Sequence, residues 1–531
     1  MEKIKNIILV ILSFITIGSA QVTPNSTITT SPFYAGEPFM AINPTNNKNI
    51  IIGYMTLGPT SPFKITIRTQ VSFDGGLTWG NPHYKPHAYS TWGSADVSMK
   101  FRNNGTVYLS YVDYRQNPDS GGVYITNSSD GGITWSIPTR IWNANTEDPT
   151  KVPLDRPWLT VDNSNTTSQG MFYITTKPAP WISPPGNRPY LKSSKDSGQT
   201  WSAYRYIDTL NHLVGPTITQ PMAALCVAAD GALCINYPSY LNTQSVYAKI
   251  IFAKSYNKGG TFQYYDLIVN PPGVTSSNKY KLGADMVANP LNAQQLAYVA
   301  IGEATANDPD VFVSTSSNGG LNWSTILKVN DDNSGKAQDM AWINYSKDNK
   351  LIVGWRDRRN GSGTGIGQSS DIYCALSMDN GVTFQPNVRL SNITVPYNAV
   401  LDSSGNDFLC CELLNDTVYA TWGDIRNPVN KINIYFTKTA IANGTGLKPI
   451  LINPENQVSF FPNPSNGKIF FNSTEIKNAL ITIYNLAGEK VFSKTIEEDF
   501  MDASNLKNGT YLIKVEKGNE VLYNSKIIIS K

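Results

Sequence analysis

A turn motif of eight residues recurs six times along the 531-residue chain, and its spacing constrains the fold more than any other feature. The copies begin at Ser72 (SFDGGLTW), Ser128 (SSDGGITW), Ser194 (SKDSGQTW), Ser255 (SYNKGGTF), Ser316 (SSNGGLNW) and Ser377 (SMDNGVTF). Successive steps are 56, 66, 61, 61 and 61 residues, the signature of a repeat protein with one supersecondary unit per period. In each copy the Asp or Asn side-chain oxygen can accept local backbone N–H groups, and the Gly can take a positive φ. The Trp or Phe then packs beneath a tight turn.

Each repeat also carries an apolar strand about twenty residues ahead of its turn. These strands read NIIIGYM, TVYLSYVD, MFYITTK, ALCINY, QLAYVAIG, KLIVGWRD and TVYATWGD, which makes seven units rather than six. The seventh unit, near 407–440, ends in INIYFTKTA and has no turn motif of its own. An N-terminal segment near 27–34 (TITTSPFY) can supply its fourth strand, so the array closes without an exposed sheet edge. The expected fold is all-β and seven-bladed, with six blades as the alternative.

The repeated turn resembles the Asp box of the sialidase-like (BNR repeat) β-propellers. The resemblance covers roughly residues 30–445. It implies that the turn joins the two outer strands of each blade, away from the ligand pocket, so its residues report the scaffold. The resemblance also implies an Arg-Ile-Pro signature near the first blade. The corresponding stretch here is Gly36-Glu37-Pro38-Phe39, and the first arginine of the chain is Arg68.

The two ends read differently. Residues 1–20 carry Lys3 and Lys5, an apolar run, and Gly18-Ser19-Ala20, the pattern of a secretory signal peptide. No other apolar run reaches membrane length, so the mature protein is expected to lack a membrane span. After a linker at 446–457, residues 458–531 alternate short strands with Gly turns, as in a small β-sandwich. Pro462-Asn463-Pro464, Gly467, Tyr484, Gly488 and Gly509-Thr510-Tyr511 resemble the C-terminal sorting domain of the Bacteroidetes type IX secretion system. That resemblance implies the type IX machinery as a partner and a secreted or outer-surface location.

A net charge of +3 gives no basic surface suited to nucleic acid. Three histidines and no spaced Cys/His cluster argue against a metal site, and no cofactor is expected. Cys226 and Cys234 can face each other on successive strands, while Cys374, Cys410 and Cys411 read as buried thiols.

Two sets of polar residues are candidates for function. Glu37, Asp96, Asp155, Gln220, Asp285, Asp339 and Asp407 recur at the start of each inner strand, which would gather them around one mouth. A second pattern, aromatic-x-Asp-x-Arg, ends three of the second strands: Asp113/Arg115, Asp357/Arg359 and Asp424/Arg426. Side chains two apart share a strand face, so these residues can pair. With Arg156, Arg356 and Arg358 they can instead offer positive charge to an acidic glycan.

Glu303, Asp155 and Asp357 are the candidate catalytic carboxylates, since glycoside hydrolysis needs an acid and a base or nucleophile across one sugar ring. Arg156, Arg356, Arg358, Arg359, Arg115 and Arg426 are the candidate substrate contacts. Three functional readings stay open: a glycoside hydrolase-like protein for acidic glycans, a noncatalytic propeller that binds glycan or protein, and a polysaccharide lyase using Tyr237 or Tyr240.

Overall fold

The computed structural model describes residues 25–30, 34–57, 64–85, 87–89, 91–115, 121–143, 147, 154–178, 188–215, 223–273, 280–332, 335–403, 406–426, 431–441, 460–471, 477–485, 489–517 and 520–531. The expected signal peptide, the linker and Gln220 lie outside the described residues. The chain divides into two compact units, Met1–Ala442 and Asn443–Lys531.

Seven four-stranded antiparallel sheets form the first unit. The first sheet runs Ala35–Ile42, Ile50–Leu57, Ile65–Ser72 and His83–Tyr84. The second to sixth repeat this order, with inner strands Gly93–Phe101, Leu154–Val161, Leu225–Val227, Ala284–Ala288 and Gln338–Tyr345. In the seventh, Cys410–Leu414, Thr417–Asp424 and Asn433–Ala440 are joined by Ser26–Thr27, which pairs with Phe436 and Tyr435. The N-terminal segment therefore does complete the last sheet. Each inner strand contacts the next, and Cys410–Leu414 returns to Ala35–Ile42.

The second strands are buried almost throughout. Ile50–Leu57 hides every residue except Leu57, because both faces of the sheet pack against neighbouring sheets. This is why these segments read as continuous apolar runs instead of alternating ones.

The repeated turn links the third strand to the fourth. In the first sheet the Ser72 hydroxyl donates to Asp74 Oδ1 (2.8 Å) and accepts the Gly76 N–H (2.8 Å). Asp74 also accepts the N–H groups of Leu77 and Thr78, both at 2.9 Å. Gly76 sits at φ 90°, a conformation that favours glycine.

The C-terminal unit has one three-stranded and one four-stranded sheet. Ile469, Ile481, Ile483, Met501, Ile513 and Val515 are its buried core. All five cysteines are free thiols; Cys226 and Cys234 are cross-strand partners in register.

Candidate functional site

The inner strands of four sheets are interrupted by a β-bulge or a left-handed residue at one equivalent place. Register shifts fall between Gly36/Phe39, Ala95/Ser98, Asp155/Trp158 and Asp339/Trp342. The bulged residues Glu37, Asp96, Arg156 and Met340 have φ of 51°, 58°, 54° and 58°. A bulge re-aims its side chain out of the strand's alternation. The structure therefore aligns Arg156 and Met340 with Glu37 and Asp96, and places Asp155 and Asp339 one residue earlier. The four bulges are equivalent, so the offset lies only in which of two adjacent positions carries the acid: the bulge itself for Glu37 and Asp96, the residue before it for Asp155 and Asp339.

Arg156 is the hub of the resulting cluster. Its Nη2 donates to Asp407 Oδ2 at 2.5 Å, and its guanidinium lies 3.6 Å from Glu37, 3.8 Å from Asp155 and 4.0 Å from Asp96. Four sheets thus contribute acids to one arginine that is only 5% exposed. Lys177 pairs with Asp155, and Lys281 reaches Asp407 at 2.9 Å. The Lys281 N–H also donates to Asp339 Oδ2 (3.3 Å), which links this cluster to a second one. There Asp339 accepts two bonds from Arg356 (2.7 and 2.5 Å) and two from Arg358 (3.0 and 3.2 Å).

The acids of the cluster are in two protonation classes. Burial, and then the neighbouring Asp155 carboxylate, push Asp96 up to about 7. Burial also raises Glu37 well above the usual carboxylate range, against the pull of Arg156. Burial acts on Asp155 as well, but Lys177 and Arg156 outweigh it and hold that carboxyl at about 2. Asp96 and Asp155 share a hydrogen bond, so one proton serves the pair.

Against the charged cluster lies a closed circuit of four aromatic rings that the sequence reading did not anticipate. Phe39 and Trp158 are 5.9 Å apart between ring centroids, Trp158 and Phe408 5.4 Å, Phe408 and Trp342 6.2 Å, and Trp342 and Phe39 5.6 Å. Phe39, Trp158 and Trp342 each stand two residues after a bulged position, and Phe408 follows Asp407. That recurring aromatic was the available signal. The Arg156 guanidinium lies 5.5 Å from the Phe408 centroid, so the ring circuit meets the hub at Phe408.

The other candidate residues are engaged elsewhere. Asp357 accepts the Trp355 indole N–H (2.7 Å) and pairs with Arg359 (2.9 Å). Asp424 repeats this arrangement with Trp422 (2.8 Å) and Arg426 (2.6 Å). Asp113 differs: it accepts from His87 (3.0 Å), the Ala88 N–H (2.6 Å) and Ser94 (3.0 Å). Glu303 is half-buried, and its carboxylate accepts the Asn307 N–H within its own hairpin. Tyr237 is fully buried and donates its hydroxyl to the His212 carbonyl (2.6 Å).

A turn on six of the seven sheets, with a charged cluster assembled from several sheets, defines a repeat protein whose site residues lie far apart in the sequence. The chain belongs to the BNR repeat-like domain family, whose model matches residues 119–410. Residues 459–530 match the secretion system C-terminal sorting domain, which assigns the chain to type IX export, to the cell surface or to release. No helix among the described residues is long and apolar enough to cross a membrane. No curated protein matches the sequence. Among solved structures, the chain is similar to a protein of unknown function from Dyadobacter fermentans, at 14% identity and TM-score 0.44, covering 80% of this chain and 100% of that one. It is also similar to the phage phi92 endosialidase, at 11% identity and TM-score 0.43, covering 95% and 87%. A third is the α-L-arabinofuranosidase Arb93A from Fusarium graminearum, at 14% identity and TM-score 0.42, covering 65% and 93%.

Proposed function

We propose that this protein is an exported seven-bladed β-propeller that recognises carbohydrate at the mouth organised by Arg156. In this reading residues 1–20 are a signal peptide, 21–445 the propeller with six Asp boxes, 446–457 a linker and 458–531 the sorting β-sandwich. The observation that carries the reading is the mutual neutralisation of the mouth. Arg156, Arg356, Arg358, Arg359 and Arg426 are all held by carboxylates of the chain itself. A clamp for a sugar carboxylate needs guanidinium donors aimed at the ligand. Fixed carboxylates with half-buried Tyr34, Tyr114 and Tyr397 beside them suit hydroxyl groups better.

Binding of neutral and acidic oligosaccharides to the exported protein tests this. The expected result is retention of neutral glycans, weakened at least about tenfold by Tyr114→Ala or Asp407→Asn. Retention of acidic glycans alone, or binding indifferent to both substitutions, would reject the reading.

A glycoside hydrolase is the second reading, and one observation favours it. Asp96 near 7 and Asp155 near 2 are a pair of touching carboxyls whose environments push them apart, the pattern of an acid beside a base. Against it stands their direct contact, since a retaining pair is about 5 Å apart with the sugar between. Turnover of reporter glycosides that Asp96→Asn abolishes would establish catalysis. Glu303 and Asp357 would then be tested by the same assay.

A further inference from the structure

A second candidate site lies at the outer edge of the first sheet. There His83, Tyr84 and Lys85 face residues 133–138 of the next repeat across a pocket of about 280 Å³. The Lys85 N–H donates to the Ile67 carbonyl (2.9 Å), which continues the pairing of the short outer strand and fixes the backbone. Its side chain is turned inward and the residue is only 2% exposed. The amine sits 3.9 Å from the centroid of the Trp135 ring.

Among the described residues no carboxylate lines the pocket, and no ion pair or hydrogen bond holds the Lys85 amine. The acid of the adjoining turn, Asp130, is used up internally. It accepts the Ser128 hydroxyl (2.7 Å) and the N–H groups of Ile133 (3.1 Å) and Thr134 (2.9 Å). The remaining charge nearby is also positive, since the Arg68 guanidinium lies 4.0 Å from the Tyr84 centroid. Burial alone pulls the Lys85 amine down to about 7. A lysine buried in this way is stabilised by any anion that enters.

We propose that this pocket binds a small monocarboxylate with an apolar or aromatic body, the Lys85 ammonium serving as its counter-ion. The body would rest on Tyr84, Ile133 and Ile137, which are 53%, 49% and 90% exposed around the opening. Such exposed apolar side chains gathered beside one buried cation match a ligand with one charged end and one greasy end. Lys85 is the one lysine or arginine among the described residues lining the pocket, which favours a monoanion over a phosphate dianion.

Titration calorimetry of the full exported protein with phenylacetate, and with neutral phenylacetamide as control, tests the proposal. Phenylacetate should bind at least about tenfold tighter, as expected for a charge-assisted bond. Lys85→Met should remove that preference without changing the melting temperature, and Arg156→Met should keep it. Because Lys85 takes up a proton on binding, the enthalpy in the unaltered protein should vary with buffer ionisation. His83 also lines the pocket, and the uptake should persist in His83→Gln. Equal affinity for the two probes, no phenylacetate binding, or an unchanged preference in Lys85→Met would each overturn the assignment. Absence of proton uptake in the unaltered protein would do the same, even if Lys85→Met failed to fold.

Discussion

Gly76 lies so close to Phe436 that a β-carbon on the glycine would stand 2.4 Å from the ring. The turn of the first sheet is thus seated on the third strand of the seventh. The same seating recurs around the array: Gly132 lies against Ile51, Gly259 against Leu191, Gly320 against Phe252 and Gly381 against Thr315. Five of the six repeated turns therefore rivet their own sheet to the preceding one, while Gly198 stands off at 3.8 Å from Ile125, and Gly76 is the rivet that joins first to last.

Gly76→Ala should destabilise the first unit by about 1–3 kcal/mol, from the clash and the positive φ together. Gly273→Ala is the control, because nothing lies within 4 Å of its would-be β-carbon. Urea unfolding of the two variants compares them, and equal midpoints would show that the contact is slack.

The seventh sheet has no turn of its own, and Asn25 takes that place. Its side chain donates to the Leu390 carbonyl (2.9 Å) and accepts from the Asn392 N–H (2.8 Å) and Arg426 (2.9 Å). Asn25→Ala should cost about 1–3 kcal/mol. Amide exchange should quicken first in Asn433–Ala440, the strand that Ser26–Thr27 covers.

Asp339 is the shared counter-ion of Arg356 and Arg358, and all three are nearly inaccessible at 0%, 3% and 0% exposure. Asp339→Asn leaves two buried guanidinium groups short of a negative charge. A loss of about 3–5 kcal/mol is expected, read by thermal unfolding.

Stability should also fall as pH rises toward neutrality. Asp96 titrates near 3.8 when unfolded and near 7 when folded, so the native state keeps a proton that the unfolded chain releases. Its contribution is full below 3.8 and lost as pH rises through 7. Asp285, pushed to about 7 by burial, acts in the same direction. Asp155, held at about 2, acts oppositely, and its contribution is lost only as pH falls through 2. Asp96→Asn should flatten the decline between 3.8 and 7, by no more than about 4 kcal/mol. An unaltered slope in urea titrations across that window would show that Asp96 is not the titrating group.

What the sequence made legible was whatever repeats. The six turns, the seven buried second strands and the completion of the last sheet by the N-terminal segment all follow from spacing and apolar runs. The mouth was legible as a set of acids and arginines, but not as an arrangement. Arg156 was grouped with arginines that end second strands, yet it stands at the bulge, equivalent to Glu37 and Asp96. The pairings Asp357/Arg359 and Asp424/Arg426 were readable because they lie two residues apart on one strand. That Asp339 serves Arg356 and Arg358, and that Asp407 reaches Arg156 across 251 positions, depends on closure of the whole array. The circuit of Phe39, Trp158, Trp342 and Phe408 was hidden for the same reason. Each ring looks like an ordinary core residue until four sheets meet.

The pairing of Ser26–Thr27 with Tyr435 and Phe436 has a consequence for the order of events during export. The first strand to emerge must wait for the last one of the same array, more than four hundred residues later. Until then Ser26–Thr27 has no strand to cover, and the first sheet's rivet has nothing to grip. Contacts so distant in sequence form slowly, because a long loop must close before they stabilise anything. Completion of the array is thus timed by the arrival of residues 433–440, immediately ahead of the segment that carries the export address.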